Sequence, residues 1–307
     1  MAVEIRRFVW TDIEGIARLH RAAEPFDRSG RLGDAIALRK RWSRPGNQPE
    51  AECLVAEALG KVVGYAYRFT VAGSAQCQVD GVVHPAWRRQ GIGRQLLART
   101  AEDARLSGAQ SLDLRVRDDE LAALAFCQAV GLRAVRVWHR QWLEPLRLSP
   151  FTFPAGYSWR QYRPRHDDAA YVKLVNETLG DHWGLGPITH ENLASLVGQP
   201  GFEPANILFA IQGQEIVGVS ALRLVARQVA GRDSTVAHIG PVGVQAAHRG
   251  LGLAHALLAA SLRHCRRRRI QAAELDVDET NAPAIHVYQD CGFETLFRIL
   301  WYRQELG

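Results

Sequence analysis

The stretch VGVQAAHRGLGLA, residues 242–254, decides the fold of this chain. It leads from β-branched, strand-like sequence through a glycine turn into a helical pattern. Gly250 and Gly252 let the backbone of the turn come close to a ligand. The unpaired amides at the start of a helix, with the positive end of its dipole and Arg249 beside them, form a site for phosphate or pyrophosphate. An anionic ligand is therefore expected at this turn.

A second copy of this stretch, VVHPAWRRQGIG, occupies residues 82–93. The two copies belong to a repeat with an offset of 161 residues that runs without gaps from the eighties to the one-thirties, so that Arg88 falls on Arg249 and Gly91 on Gly252. Upstream, KVVG at 61–64 matches EIVG at 215–218 with an offset of 154, which predicts a loop seven residues longer in the second half. The chain is a tandem repeat.

Each half of the repeat shows the same series of strand and helix patterns. Strands are predicted at about 3–9, 52–59, 61–70, 75–84 and 111–117, and again at 157–163, 206–212, 215–227, 234–245 and 271–277. Helices are predicted at 12–23, 91–107, 119–130, 167–179, 189–198, 252–268 and 281–290. A segment with three prolines separates the halves, which predicts α/β domains at 1–145 and 156–307 joined by a linker at 146–155.

Composition excludes several classes of protein. Of the 307 residues, 47% are apolar and 23% charged, which indicates a chain with a sizeable core and excludes wholesale disorder. No stretch has the apolar length of a membrane span, and residues 1–7 are not a signal peptide, so a cytoplasmic protein without a membrane partner is expected. Five scattered cysteines without a C-x-x-C motif argue against a disulfide framework and against a metal site.

The net charge of +6 does not favour nucleic acid as a partner. The one dense basic run, Arg266 to Arg269, is interpreted first as the solvated last turn of a helix, where cations face the negative end of the dipole. Phosphate binding by this run is the less favoured alternative.

The glycine turns fit neither of two common phosphate motifs. A dinucleotide fingerprint needs a third glycine, where this chain has Leu96 and His255, and the Gly-Lys-Ser/Thr of a P-loop is absent. The pattern instead resembles the pyrophosphate loop of the GNAT superfamily of acetyl-CoA-dependent N-acyltransferases, which reads Gln/Arg-x-x-Gly-x-Gly/Ala. Both Arg88-x-x-Gly91-x-Gly93 and Arg249-x-x-Gly252-x-Ala254 satisfy it. In the second half, N-x-x-A-x-x-x-Y-x-x-x-G-F at 281–293 is close to the other element usual in that superfamily.

The resemblance implies two GNAT-type domains, each with a mixed, splayed sheet flanked by helices, and acetyl-CoA as co-substrate. A pantetheine arm is an amide chain, so it can pair with a splayed sheet edge while the glycine turn holds the pyrophosphate. The residues implied in the second half are Val242, Val244, Arg249, Gly250, Leu251, Gly252, Leu253, Ala254 and Asn281. Their counterparts in the first half are Val83, Arg88, Arg89, Gln90, Gly91, Ile92 and Gly93.

The same resemblance suggests the catalytic groups. Tyr288 stands where the family places a tyrosine that protonates the leaving thiolate. His238 stands where many members carry a glutamate base, and strand alternation predicts that it shares a face with Val242 and Val244. With an ordinary pKa of about 6.5, a histidine base predicts activity that rises through an apparent pKa between about 6 and 8.

Other groups in the second half remain candidates for the base or for the acceptor site. His286 is an alternative base, and it also joins the predicted acceptor-binding residues. The loop with Asp181, His182 and Trp183 lies where the family admits acceptors, and Asp181 is suited to hold an amine, whereas Trp183 also fits a core position.

The first half lacks the counterparts of these groups. The offset of 161 places Cys127 at the position of Tyr288, Cys77 at that of His238 and Glu120 at that of Asn281. The first half is therefore predicted to be a non-catalytic scaffold that keeps an anion-binding turn.

The function that follows is transfer of an acetyl group from acetyl-CoA to the primary amine of a small molecule by the second half. A non-enzymatic CoA-binding sensor or regulatory module is one alternative, and an acyltransferase that acts on a peptide or protein N-terminus is another. The sequence does not indicate an oligomeric state.

Overall fold

The computed structural model describes residues 3–27, 33–43, 46–70, 75–147, 150–180, 183, 186–199, 201–229 and 232–307. The chain divides into two compact units, Met1–Arg136 with Ile299–Gly307 and Val137–Arg298. Each unit is a mixed sheet with helices on both faces, which confirms the predicted α/β class.

Most helices and strands of the chain occur close to their predicted positions, whereas those at 35–42, 49–52, 133–143 and 294–305 were not predicted. Those that precede residue 144 are β1 (Glu4–Arg7), α1 (Ile13–Asp27), α2 (Ala35–Trp42), α3 (Pro49–Glu52), β2 (Cys53–Ala58), β3 (Lys61–Thr70), β4 (Gln76–Val83), α4 (Ile92–Leu106), β5 (Ser111–Arg117), α5 (Leu121–Ala129) and β6 (Arg133–Leu143). Those that follow are β7 (Tyr157–Gln161), α6 (Asp168–Leu179), α7 (His190–Val197), β8 (Ile207–Gln212), β9 (Glu215–Val229), β10 (Arg232–Val244), α8 (Leu253–Arg267), β11 (Ala273–Asp278), α9 (Ala282–Asp290) and β12 (Glu294–Glu305).

The closing strand of each sheet comes from the other half of the sequence. In the first unit the strand order is β1-β2-β3-β4-β5-β12, and in the second it is β7-β8-β9-β10-β11-β6. Residues 299–305 pair antiparallel with β5, and residues 138–143 pair antiparallel with β11. The compact units therefore differ from the sequence boundaries at 145 and 156 in the strand that closes each sheet.

Two helix layers enclose the sheet of each unit. In the second unit, α6 and α7 cover one face, where Tyr171, Leu174 and Leu193 pack on Phe209 and Ala221. The opposite face lies against α8 and α9 through two further buried clusters. The first unit repeats this plan, with α1 and α2 on one face and α4 and α5 on the other. We call the two faces of the second unit the α6 face and the α8 face.

The seven extra residues of the second half lengthen strands rather than a loop, which corrects the expectation from sequence. β9 and β10 have 15 and 13 residues, whereas β3 and β4 have 10 and 8. One of the extra residues lies in a β-bulge of β10 between Ile239 and Val242. The remaining extra residues extend the β9–β10 hairpin.

The arginine run lies at the C-terminal end of α8, as its interpretation as a helix end predicts. Arg266, Arg267 and Arg269 are exposed, and Arg268 lies 3.2 Å from Glu203. Among the described helices, none is long and apolar enough to cross a membrane.

Candidate active site

The turn between β10 and α8 has the geometry of an anion site. Gly250 and Gly252 have φ values of +77° and +80°, in the left-handed region that favours glycine. A Cβ added at either position meets no atom within 4 Å, so backbone conformation and not crowding requires glycine here. Gly252 is the N-cap of α8, and the first amides of the helix have no intrahelical partner.

The turn of the first unit has the same shape with different residues. Arg89 and Gly91 adopt φ values of +63° and +80°, and left-handed geometry costs a residue such as Arg89 about 1–2 kcal/mol. Gly93 is a position of close packing instead, because a Cβ there lies 3.2 Å from Phe126.

The side chains of several predicted ligand residues belong to the core. Ile92 and Leu253 are 2% and 1% exposed and pack under their turns. Val244 packs against Leu253, the first residue of α8. Nε2 of Gln90 donates to Ala86 O at 3.4 Å. These side chains therefore support the turns, and the backbone amides and the arginines are the groups suited to bind an anion.

The arginines of the two turns have different partners. Nε of Arg249 donates to Val244 O at 3.0 Å, and Nε of Arg88 donates to Val83 O at the same distance. Nη2 of Arg88 also lies 2.7 Å from Oδ2 of Asp27, at the end of α1. Within the described ranges, no carboxylate pairs with Arg249. The charge of Arg249 is therefore available to an anion at the second turn, whereas Asp27 neutralises the equivalent Arg88 at the first turn.

The parallel strands β10 and β11 separate soon after they meet. Their register contains only two pairs, Ala237 with Ala273 and His238 with Glu274. In the first unit, β4 and β5 keep four pairs before they separate. Beyond His238, the edge of β10 turns away from β11 towards the glycine turn. Such an opened edge beside a helix N-terminus suits an extended amide chain that ends in a phosphate.

The bulge in β10 changes the face on which His238 lies. Val242 pairs with Ser220, whose Oγ lies 2.9 Å from that of Ser261 in α8, so Val242 is on the α8 face. His238 pairs with Arg223, three residues along β9 from Ser220 and hence on the α6 face. The prediction that His238 shares a face with Val242 and Val244 is wrong, because a bulge adds one residue and reverses the alternation.

The bulge also corrects the match between the halves at this position. His238 pairs with Glu274 and Arg223, and the residue of the first unit with the equivalent pairings, to Asp113 and Phe69, is Gln78. Gln78, and not Cys77, is therefore the structural counterpart of His238.

His238 is held by a buried carboxylate. Its Nδ1 lies 3.0 Å from Oε1 of Glu274, whose side chain is 2% exposed. Burial lowers the pKa of His238, the hydrogen bond to Glu274 opposes this, and the charge of Arg223 adds to it. The net direction is downward, so the imidazole is neutral at pH 7 and able to accept a proton.

Tyr288 lies on the α8 face. It is buried among Leu258, Leu262 and Phe293, and its ring centroid is 6.2 Å from that of Phe293. Burial raises the pKa of Tyr288 to about 12, so its phenol stays protonated at neutral pH and is a donor. His238 and Tyr288 thus lie on opposite faces of the sheet.

Asn281 and His286 lie at other places on α9. Asn281 is the N-cap, and its Oδ1 accepts from the amide of Ala284 at 3.2 Å. The side chain of His286 is 74% exposed, and its Nε2 lies 3.5 Å from Asp290. The structure does not bring His286 to Tyr288, two positions along the helix and buried. In the predicted acceptor loop, Asp181 and His182 lie outside the described residues, and Trp183 is half-buried.

Sequence reasoning missed the groups that surround His238. Glu274 belongs to β11, which reads AELDVD, so the sequence does not distinguish it from the two other acidic residues of the strand. Arg227 and Arg140 bind Glu274 from the extended hairpin and from β6, which no sequence pattern connects to it. Asp27, which pairs with Arg88, was likewise not predicted.

Known families and proteins are similar to this chain in both of its halves. The model of the Acetyltransferase (GNAT) family matches residues 14–132 and 174–293. A mycothiol acetyltransferase of Thermomonospora curvata is 30% identical over 284 residues, which cover 92% of this chain and 90% of the relative. A second, from Streptomyces bingchenggensis, is 30% identical over 96% of this chain and 94% of its own length.

Solved structures show the same fold. A GCN5-related N-acetyltransferase from Sphaerobacter thermophilus superposes with a TM-score of 0.76 at 27% identity and covers 99% of this chain and 96% of its own. A tandem GNAT protein from the clavulanic acid biosynthesis pathway gives 0.75 at 23% identity, with 100% and 99% covered, and supports the fold alone. The resemblance found in the sequence is confirmed, and the chain belongs to the acetyltransferase (GNAT) family as a tandem of two GNAT regions.

Proposed function

We propose that the second unit transfers an acetyl group from acetyl-CoA to the primary amine of a small molecule, and that the first unit is non-catalytic. The observation that carries this proposal is that β10 bears His238 on the α6 face at its last pair with β11, packs on the α8 face against the cluster that contains Tyr288, and leads into the turn with Arg249. A neutral base and a protonated acid there match the two proton transfers that aminolysis of a thioester requires.

The residues fit acetyl-CoA as the donor substrate. The amides of the turn at 250–253 and the guanidinium of Arg249 would hold the pyrophosphate. The opened edge of β10 at 239–244 would pair with the pantetheine amides. Side chains of Val242 and Val244 would then serve to anchor the strand in the core rather than to touch the co-substrate.

In the proposed reaction each proton has a defined place. His238 takes a proton from the acceptor amine as its nitrogen bonds to the acetyl carbon. The carbon–sulfur bond then breaks, and the thiolate receives the phenolic proton of Tyr288. Entry of the amine on the α6 face agrees with a predicted acceptor loop at 181–183, which follows α6 in the chain.

The test of this function is a thiol-release assay with acetyl-CoA and a panel of acceptors. Because two relatives are named mycothiol acetyltransferases, a cysteinyl sugar of the mycothiol type is the first acceptor to try. Aminoglycosides, amino acids and peptides with a free N-terminus complete the panel. Acceptor-dependent release of CoA from a small amine supports the proposal, and release with peptides alone supports the alternative acyltransferase. Binding of acetyl-CoA without release for any acceptor would indicate a sensor.

A matched pair of glycine variants controls the assay. Gly252→Val places a branched side chain at φ +80° in the second turn, and Gly91→Val does the same at φ +80° in the first. Release should be lost in the first variant and kept in the second, with melting curves to show that both are folded. Equal activity of the two variants would contradict the assignment of the second turn.

The first unit is proposed to keep a weaker CoA site, because Asp27 competes with a phosphate for Arg88. Asp27→Asn removes the competing charge, so the affinity of this site for CoA should rise about tenfold, or about 1.4 kcal/mol. Calorimetry in the Gly252→Val background measures the first site alone. An unchanged affinity would show that Asp27 does not compete with a phosphate for Arg88, and absence of binding in both proteins would make the turn of the first unit purely structural.

A further inference from the structure

A network of charged side chains covers part of the α6 face next to His238. Oε1 of Glu274 accepts from Nη2 of Arg227 at 2.5 Å, and Oε2 accepts from Nε of Arg227 at 3.0 Å and Nη1 of Arg140 at 2.8 Å. Arg140 also donates to both carboxylate oxygens of Asp276, at 2.5 and 2.9 Å. Glu274 is thus clamped by two arginines from two different strands.

This clamp keeps Glu274 ionised. Burial opposes ionisation, but the hydrogen bonds from His238 and Arg227 and the charge of Arg140 hold the pKa of Glu274 well below its usual range. An ionised carboxylate can only accept hydrogen bonds, so Nδ1 of His238 must carry the proton in their 3.0 Å contact. In the neutral ring Nε2 then carries the lone pair, and within the described residues no group is bonded to Nε2.

Comparison with the first unit shows which part of this network both units share. Asp113, the counterpart of Glu274, is 1% exposed and binds Arg303 at 2.7 and 2.8 Å. A buried acid paired with an arginine of the closing strand is therefore common to both units. The first unit has Gln78 in place of His238.

Two local changes of the second half supply what the first unit lacks. His238 replaces Gln78 at the register position beside the buried acid, and the hairpin extension carries Arg227, which pairs with Ser234 in the added part of the ladder. Neither change is required for a buried acid–arginine pair, since the first unit keeps one without them. Their joint effect is to fix the charge of Glu274 and the orientation of one imidazole.

From this geometry we infer that Glu274 is a positioning residue for acetyl transfer: clamped by Arg140 and Arg227, it holds His238 in the tautomer that presents the Nε2 lone pair to the acceptor amine. The inference rests on the proposed function, in which His238 is the base. The amine proton passes to Nε2, Nδ1 keeps its own proton, and Glu274 remains ionised and stabilises the imidazolium that forms.

The charged groups around His238 set the direction of the pH response. Glu274 and Asp276 of β11 favour the protonated ring, whereas burial and Arg223 of β9 disfavour it. Glu274→Gln removes one of the groups that favour protonation. The acid limb of the pH–rate profile should therefore move to lower pH in this variant, while its plateau falls because the tautomer is no longer fixed.

The first measurement uses the unmodified protein. Nitrogen-15 spectra of its histidine rings, with His238→Ala to assign the signal, should show His238 with the proton on Nδ1 at pH 8. A neutral ring with its proton on Nε2 would overturn the inference without any variant of Glu274. This readout does not depend on activity or on bound acetyl-CoA.

The second measurement is a double-mutant cycle with kcat as the readout. Glu274→Gln should lower kcat roughly tenfold to a hundredfold in the wild-type background with the KM for acetyl-CoA within about twofold, and should have no further effect in the His238→Ala background. An equal loss in both backgrounds would show a merely structural role and overturn the inference. Asp113→Asn is the matched control, and it should lower the melting temperature without changing kcat.

The two hypotheses fail in different ways. If His238→Ala keeps the wild-type kcat, the proposed base is wrong and this inference falls with it. If His238→Ala is inactive while Glu274→Gln keeps the wild-type kcat and pH profile, the base stands and only the positioning role of Glu274 is lost.

Discussion

Replacement of Tyr288 by phenylalanine is expected to lower kcat by about a hundredfold or more. The substitution keeps the ring that packs on Phe293 and removes only the phenolic proton donor. Because its pKa is raised to about 12, the phenol of Tyr288 stays protonated at neutral pH and can donate one proton. Steady-state kinetics with saturating acetyl-CoA measure the loss, and calorimetry should show acetyl-CoA affinity within about twofold of wild type.

Cys127, the counterpart of Tyr288 in the first unit, provides the matched control. It is 1% exposed, and burial raises the pKa of its thiol to about 12, which makes it an inert core residue rather than a nucleophile. Cys127→Ser should cost some stability and leave kcat unchanged. Loss of turnover in Cys127→Ser with retained turnover in Tyr288→Phe would move catalysis to the first unit and to thiol chemistry.

The sequence predicted the features that local pattern determines. Glycine spacing, the repeat and strand-to-helix transitions placed both anion-binding turns, because the left-handed φ values at 250 and 252 leave a direct signature in residue type. α7, predicted at 189–198, is likewise capped by Thr189, whose hydroxyl accepts from the amide of Asn192 at 3.2 Å. Patterns of this kind depend on residues that are neighbours along the chain.

The closing strands were not predicted, because their partners are distant in sequence. β6 reads RAVRVWHRQWL and has no clean apolar alternation, since arginines and a glutamine occupy inward-facing positions. Gln141 and Arg140 are suited to those positions only because Thr295 and Glu274 receive their hydrogen bonds. Such complementarity appears only when both strands are known.

The face of His238 was missed for a different reason. A count of alternate residues along β10 assumes an uninterrupted strand, and one additional residue between Ile239 and Val242 reverses every face before it. The halves of the repeat already differed by seven residues in this hairpin, but sequence comparison alone could not divide them between strand ends and a bulge. This difference matters for the proposed chemistry, because His238 and Tyr288 lie on opposite faces of the sheet.

His238→Ala is expected to lower kcat by about a hundredfold to ten-thousandfold, with acetyl-CoA affinity unchanged, because it removes the base from the α6 face and leaves the turn with Arg249 intact. The wild-type pH profile gives the sharper result. A base must be neutral to act, so kcat rises with pH through the pKa of His238, and burial lowers that pKa from its ordinary value of 6.5. The acid limb should vanish in His238→Ala.

Protonation of His238 also favours the unfolded chain, so the effect of pH on stability must be distinguished from its effect on kcat. Because the folded-state pKa is lowered, the unfolded chain binds more protons below pH 6.5, and stability falls as the pH drops through that window. Circular dichroism at each pH establishes where the enzyme is still folded, and only those points enter the rate profile.

Gln78→Ala, at the same register in the first unit, is the control and should leave kcat and its pH dependence unchanged. An acid limb that persists in a folded His238→Ala enzyme would assign proton removal to another group. His286, the alternative base on α9, would be the next group to replace.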